Sequence, residues 1–170
     1  VPKTEVLKDR VATTRLYRLW AVPGQTDGDI VPLDIGASVL GGLSSSRLDN
    51  ALVRGSQQAV SVSASNQQFE AISLISAEMN VKPGIARAEA EKALDAVIAK
   101  FIAEGPSADE VRRSATRMAS GKIGEIEGVD DDGKGGILAE GLLSSGDPEQ
   151  YRKELAELAA LTPEAVRSAV

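Results

Sequence analysis

The 170-residue chain contains neither histidine nor cysteine. Without an imidazole or a thiolate, its own residues cannot form a histidine-dependent triad, a cysteine nucleophile or a zinc site built on nitrogen and sulfur ligands. The lack of cysteine leaves the redox compartment open. Aromatic residues are nearly absent: one Trp, two Tyr and two Phe. A core must therefore be assembled from Ala, Val, Leu and Ile, which favours close helix packing. Positive charge is also short, with 19 Lys and Arg against 25 Asp and Glu and a net charge of −6. No basic run exceeds pairs such as Arg112-Arg113, so a phosphate-backbone footprint is missing and nucleic acid is not an expected partner. No apolar run approaches the roughly 20 residues of a membrane helix, so no membrane span is expected. The chain begins Val1-Pro2-Lys3, with neither an initiator Met nor a signal-peptide pattern, and is read as one domain, residues 1–170, excised from something longer.

What is present reads as alternating local signals. Val11–Trp20 alternates as a strand that Pro23-Gly24 ends. Val31, Ile35 and Val39 recur at fourfold spacing and predict a helix over Ile30–Leu40, stopped by Gly41-Gly42. Ser44 or Ser45 is placed to cap a second short helix running through Arg54 and closed by Gly55. Val60, Val62 and Ala64 alternate with serines as a half-buried strand, and Ala71–Ala77 reads as its hairpin neighbour across Asn66–Glu70. Leu94, Val97, Ile98, Phe101 and Ile102 form a helical stripe that ends at Gly105-Pro106. Ser107 and Glu110 form a capping box for a helix carried by Val111, Ala115, Met118 and Ile123 to about Glu127. A loop, Gly128–Gly136, follows, then a helix over Ile137–Leu143. Asp147-Pro148 and Thr162-Pro163 start the last two helices, the first over Glu149–Leu161. This order predicts an α+β, two-layer sandwich: a mostly antiparallel sheet with several helices on one face.

The candidate chemistry is thin. No Ser-x-x-Lys occurs, and Ser44-Ser45-Ser46 reads as a helix cap. Gly128 to Lys134 has phosphate-loop spacing, but Gly135 replaces the Ser or Thr that would hold magnesium and three aspartates would repel a polyphosphate. An EF-hand starting at Asp130 puts Lys134 at its fifth position and Gly141 where a bidentate Glu belongs, so a solvated loop is the better reading. Arg47 and Arg54, seven apart on one predicted helix, share a face that can grip a carboxylate or a peptide backbone, although solvated or salt-bridged arginines are commoner.

Taken in order, Leu40-Gly41-Gly42, Ser45-Ser46-Arg47-Leu48, Leu52-Val53-Arg54 and the strand Ala59–Ala64 resemble the pitrilysin/insulinase family of zinc metallopeptidases. Tyr17–Trp20, Val81–Gly84, Glu104–Glu110 and Ser145–Pro148 extend the likeness to its second, noncatalytic repeat domain, as in subunits similar to the mitochondrial processing peptidase. The resemblance implies a half-clamshell α+β domain that forms part of a chamber for an unfolded peptide and packs on a zinc-bearing domain. Zinc and its His-x-x-Glu-His motif would lie in that other domain; none is expected here, and this domain alone would cleave nothing. An Arg and a Tyr that catalytic relatives carry seven residues apart correspond here to Val53 and Val60, with Arg54 offset by one. The resemblance makes Ser45, Arg47 and Arg54, with Gly133, Lys134 and Gly135 of the Asp130–Gly136 loop, candidate contacts to substrate or to the partner domain. It implies a periplasmic or envelope location if the source is bacterial. A purely structural subunit domain of the same fold, like inactive relatives in respiratory complexes, is the alternative. An unrelated small-ligand α+β module would be favoured by a sheet of different topology.

Overall fold

A computed structural model describes residues 13–25, 27–128 and 133–170. The first strand, β1 (Arg15–Pro23), is followed by α1 (Ile30–Ala37), then by the hairpin β2 (Ala59–Gln67) and β3 (Ile72–Val81), and finally by α2 (Arg87–Glu104), α3 (Ala108–Glu127), α4 (Lys134–Ser145), α5 (Gln150–Ala160) and α6 (Pro163–Ala169). The strands form one antiparallel sheet in the order β1-β3-β2. The predicted start of β1 at Val11 lies outside the described residues; the strand itself runs on through Pro23, opposite Ile72. Proline is tolerated there because β1 is an edge strand and needs no donor on its outer side.

Side chains alternate across the sheet with period two. Leu16, Ala64, Ser73, Ala77, Met79 and Val81 point into the core, and Arg18, Trp20 and Val62 are half-buried on the same side. The helices cover that face: α1 packs on β2 and α2 on β3. Leu94, Ile98 and Phe101 of the predicted α2 stripe are buried, while Ile102 is exposed; on α3, Val111 is buried but Ile123 faces solvent. Those last two corrections have one cause, because a stripe three or four residues wide on a helix drifts off the contact line as the helix leaves its neighbour.

The strand alternation predicted for Val60 fails at one point. Pairing passes from Ala59 opposite Val81 directly to Ser61 opposite Asn80, so Val60 is the extra residue of a β-bulge and stands 61% exposed. A bulge turns neighbouring side chains to the same side, which is how the inward place expected of Val60 is lost.

The helical run does end at the diglycine, with Leu43 extended, but its last turn is not α-helical. The helix widens into a π-type turn over Ser38–Gly42, whose Gly41 packs so closely on β2 that a Cβ would lie 2.4 Å from the Ala64 nitrogen. Only glycine allows that approach. A second π-type segment, Asp49–Gly55, packs on β2 and α2. The helical run leading into it begins at Arg47, and there Ser46 rather than Ser44 or Ser45 stands at the cap: the buried Ser46 Oγ accepts from the Asp49 N–H at 3.4 Å.

The capping box at α3 forms as read. Ser107 Oγ accepts from Glu110 N–H at 3.3 Å, and Glu110 Oε2 accepts from Ser107 N–H at 2.8 Å. Thr162 caps α6 by accepting from Ala165 N–H at 3.2 Å, with Pro163 in the first turn. Asp147 acts one step earlier than a cap, its Oδ1 accepting from Glu149 N–H at 2.9 Å in the turn that leads into α5.

Candidate functional site

The segment Ser44–Val60 holds most of the residues singled out from sequence. Leu48 and Leu52 are buried and anchor it on the sheet, while Ser45, Arg54 and Val60 are exposed. Arg54 donates through Nε to Asp49 Oδ2 at 2.6 Å and through Nη2 to the Ser44 carbonyl. Its side chain remains 62% exposed, so the guanidinium is held in place while still facing solvent.

Arg47 is placed differently. Nε and Nη2 donate to the two oxygens of Glu110 at 2.9 Å each, Nη2 also reaches the Gly105 carbonyl at 2.8 Å, and the guanidinium carbon lies 5.3 Å from the centre of the Phe101 ring. This bidentate pair ties the π-type segment to the α2–α3 corner. Arg47 therefore does not share Arg54's exposed face; a π-type backbone gives more than 3.6 residues per turn and breaks the heptad-like coincidence assumed for a regular helix. Arg47 holds the Glu110 carboxyl at about 2, with the Ser107 hydrogen bonds assisting against partial burial.

Gly133, Lys134 and Gly135 lie elsewhere. Gly133 is the buried N-cap of α4, its carbonyl accepting from Ile137 N–H at 3.1 Å, and Lys134 and Gly135 open the helix as exposed residues. The loop expected over Gly128–Gly136 is thus shorter at its far end, and its aspartates Asp130–Asp132 lie outside the described residues. α4 packs on α3 and α5, whereas Asp49–Gly55 packs on β2 and α2, so the two groups of candidate residues are carried by different elements.

The face of the sheet away from the helices was not singled out from sequence. On it β1 presents Tyr17, Leu19 and Ala21, with Leu74 opposite Ala21 and Ile72 opposite Pro23. Leu19 is 65% exposed and Ile72 50%. Next to this apolar strip, Ser61, Ser63 and Ser65 line β2, and Ser65 shares a hydrogen bond with Ser76 on β3. The signal was available in Tyr17-Arg18-Leu19-Trp20, where Tyr17 and Leu19 put apolar side chains on the face opposite Trp20. Among the described residues, no group of three or more Asp and Glu side chains is arranged to hold a metal ion.

A three-stranded antiparallel sheet with its helices packed on one face makes this an α+β domain. The peptidase M16 inactive domain matches residues 2–118, and the chain belongs to that family. Its fold is that of a candidate zinc protease from Bordetella pertussis Tohama I, at a TM-score of 0.79 and 23% identity over 95% of this chain and 87% of that one. It is also that of the inactive peptidase domain of a candidate zinc protease from Bordetella parapertussis, at 0.79 and 22% over 96% and 88%. A protease from Helicobacter pylori superposes at 0.82 with 22% identity, over 95% of this chain but 39% of that longer one. At these identities the likeness speaks for fold alone. A search of curated proteins finds no match.

Proposed function

We propose that the chain serves as the noncatalytic wall of a peptidase chamber and packs through its open sheet face on a zinc-bearing domain. The observation that carries this reading is the uncovered strip of Tyr17, Leu19, Ala21, Ile72 and Leu74. An apolar surface of this kind, bordered by serines, is characteristic of a contact face rather than of a permanently solvated one. Zinc and the water-activating base belong, on this reading, to the partner domain, since this chain has no histidine or cysteine to ligate it. The exposed Arg54 guanidinium and Ser45 hydroxyl then contribute peptide contacts, and Lys134 a further cation, while Arg47 positions the segment that carries the first two.

The test is reconstitution with the zinc-bearing domain encoded beside this one, produced as a separate polypeptide. Leu19→Asp should weaken the association by at least about tenfold, the equivalent of ~1.4 kcal/mol, with an unchanged circular dichroism spectrum. Chelator-sensitive cleavage of a fluorogenic peptide should require both polypeptides. Association indifferent to Leu19→Asp would remove the docking face, and cleavage by this chain alone would remove the noncatalytic role. A complex that forms but cleaves no peptide would favour the purely structural subunit.

A further inference from the structure

A cavity of about 580 Å³ opens between α1, α3, α4 and α5. Its volume lies within the usual range of small-ligand sites. Asp34, the one charged residue of an otherwise buried α1, stands in its wall together with Gln68, Ser38, Ser114 and the Lys122–Glu154 ion pair that bridges α3 and α5.

The hydrogen bonding around Asp34 is unbalanced. Asn66 Nδ2 donates to Oδ1 at 2.8 Å and Gln68 Nε2 to Oδ2 at 2.6 Å. A carboxylate offers about four acceptor positions, so these two neutral donors leave the group half satisfied. The Asn66 amide, having turned its nitrogen toward Asp34, keeps its own Oδ1 fully buried and without a donor among the described residues. A buried acceptor left unpaired costs about 1–3 kcal/mol, so the Asn66 side of Asp34, behind the cavity lining, is short of N–H donors. The charge of the lining points the same way. Asp27, Asp34, Glu125, Glu140, Glu154 and Glu157 face two cations, Arg117 and Lys122, and Lys122 is already paired with Glu154.

We infer that this cavity is a binding site for an organic cation of the primary alkylammonium class, seated against the Asp34 carboxylate. An ammonium brings three donors and no acceptor, and can fill the acceptor positions that Asn66 and Gln68 leave open on the Asp34 carboxylate. Ser38 and Ser114, whose hydroxyls bond each other at 3.2 Å beside it, provide a polar floor. Burial pushes the Asp34 carboxyl up to about 6 against the hydrogen bonds of Asn66 and Gln68 and the more distant charge of Lys122. A carboxylate in that condition gains from a cation at its side. The inference is independent of the chamber reading, and neither experiment decides the other.

The test is an amide chemical-shift titration of the 170-residue chain near neutral pH. The probes are N-acetyl-lysine methylamide and butylamine, with the neutral Nε-acetylated lysine derivative as control. Both cations should move the amides of Asp34, Ser38 and Gln68 in a saturable way, the neutral derivative should not, and Asp34→Asn should weaken binding by about tenfold or more. A response to the lysine derivative but not to butylamine supports the site with a polypeptide side chain as its source. In the unmodified chain, the carboxyl-carbon titration of Asp34 should move to lower pH when butylamine or the lysine derivative is bound. Failure of both cations to saturate, an equal response to the neutral derivative, or an Asp34 titration indifferent to the bound cation would overturn the inference.

Discussion

Two polar junctions fasten elements of this domain to one another, one between helices and one between α1 and the sheet, and they are built in opposite ways. At the Arg47–Glu110 junction, a bidentate ion pair, a backbone carbonyl and a capping hydroxyl satisfy one another. At the Asp34 junction, a carboxylate meets two amides and, among the described residues, no bonded cation, and one of those amides is itself left short of a donor there. The first arrangement is a closed network in which each charge has its complement. The second holds a charge whose desolvation is offset only in part. A closed network contributes rigidity where it sits, whereas an open one is sensitive to whatever enters, be it a proton or a ligand.

The sharpest way to break the contrast is to open the closed junction. Glu110→Ala removes both the reciprocal cap of α3 and the partner of Arg47, and should cost about 3 kcal/mol, the sum of a lost cap and a lost charge-assisted pair. For a domain of this size that is roughly 6–12 °C in melting temperature. Glu110→Gln retains the reach back to the Ser107 N–H but not the charge, so its smaller loss separates the ion pair from the cap. Since the Glu110 carboxyl falls from 4.5 to about 2 on folding, its contribution is fully present above pH 4.5 and is lost as the pH falls toward 2. Urea denaturation of Glu110→Gln and the parent across that window should converge at the acid end.

The same contrast shows what was legible in the sequence. The capping box could be read because its two members stand three residues apart and act within one turn. Arg47 was singled out as well, yet its pairing with Glu110 spans 63 residues. No local spacing encodes that contact; it exists because Asp49–Gly55 and the α2–α3 corner meet in the folded chain. Val60 went wrong for a related reason: alternation assumes unbroken pairing, and the bulge that exposes it is a relation between two strands. Asp34 was overlooked although it carried a signal, a single acid within the apolar run Ile30–Leu40. Its partners Asn66 and Gln68 come from the end of β2 and the hairpin turn, so the donors could not be named from sequence. The order of elements and the one-sided sheet followed from periodicity because each depends on patterns within one segment.

A smaller effect, of opposite sign, is expected at the open junction. The Asp34 carboxyl binds its proton more tightly in the folded chain, at about 6, than in the unfolded chain, near 3.8. The stabilisation from the protonated form is therefore full below pH 3.8 and is lost as the pH rises through 6, the reverse of Glu110. Asp34→Asn removes the titrating group and supplies an amide N–H that can turn to the orphaned Asn66 Oδ1. The variant should exceed the parent in stability above pH 6, on the order of 1–2 kcal/mol, and the advantage should vanish near pH 4. A stability difference that does not vary between those limits would show that the carboxylate is compensated in some other way, and the two junctions would no longer be opposites.

The least disruptive change tests whether a third charge, Arg54, belongs with either junction. Its Nε bond to Asp49 and its donation to the Ser44 carbonyl resemble Arg47's contacts in kind, but the side chain is 62% exposed against 21% for Arg47. Solvent screens such a pair, and exposed ion pairs contribute about 0.2–1 kcal/mol. Arg54→Ala should therefore lower stability by no more than about 0.5 kcal/mol, less than a fifth of the Glu110→Ala loss. In the two-domain reconstitution that tests the proposed chamber role, it should raise KM for an anionic peptide more than for a neutral one, because a guanidinium held by its neighbours yet open to solvent is placed to attract charge. Loss of several kcal/mol on Arg54→Ala would instead make it a second structural clamp, and the division between closed anchoring contacts and open responsive ones would have to be redrawn around exposure alone.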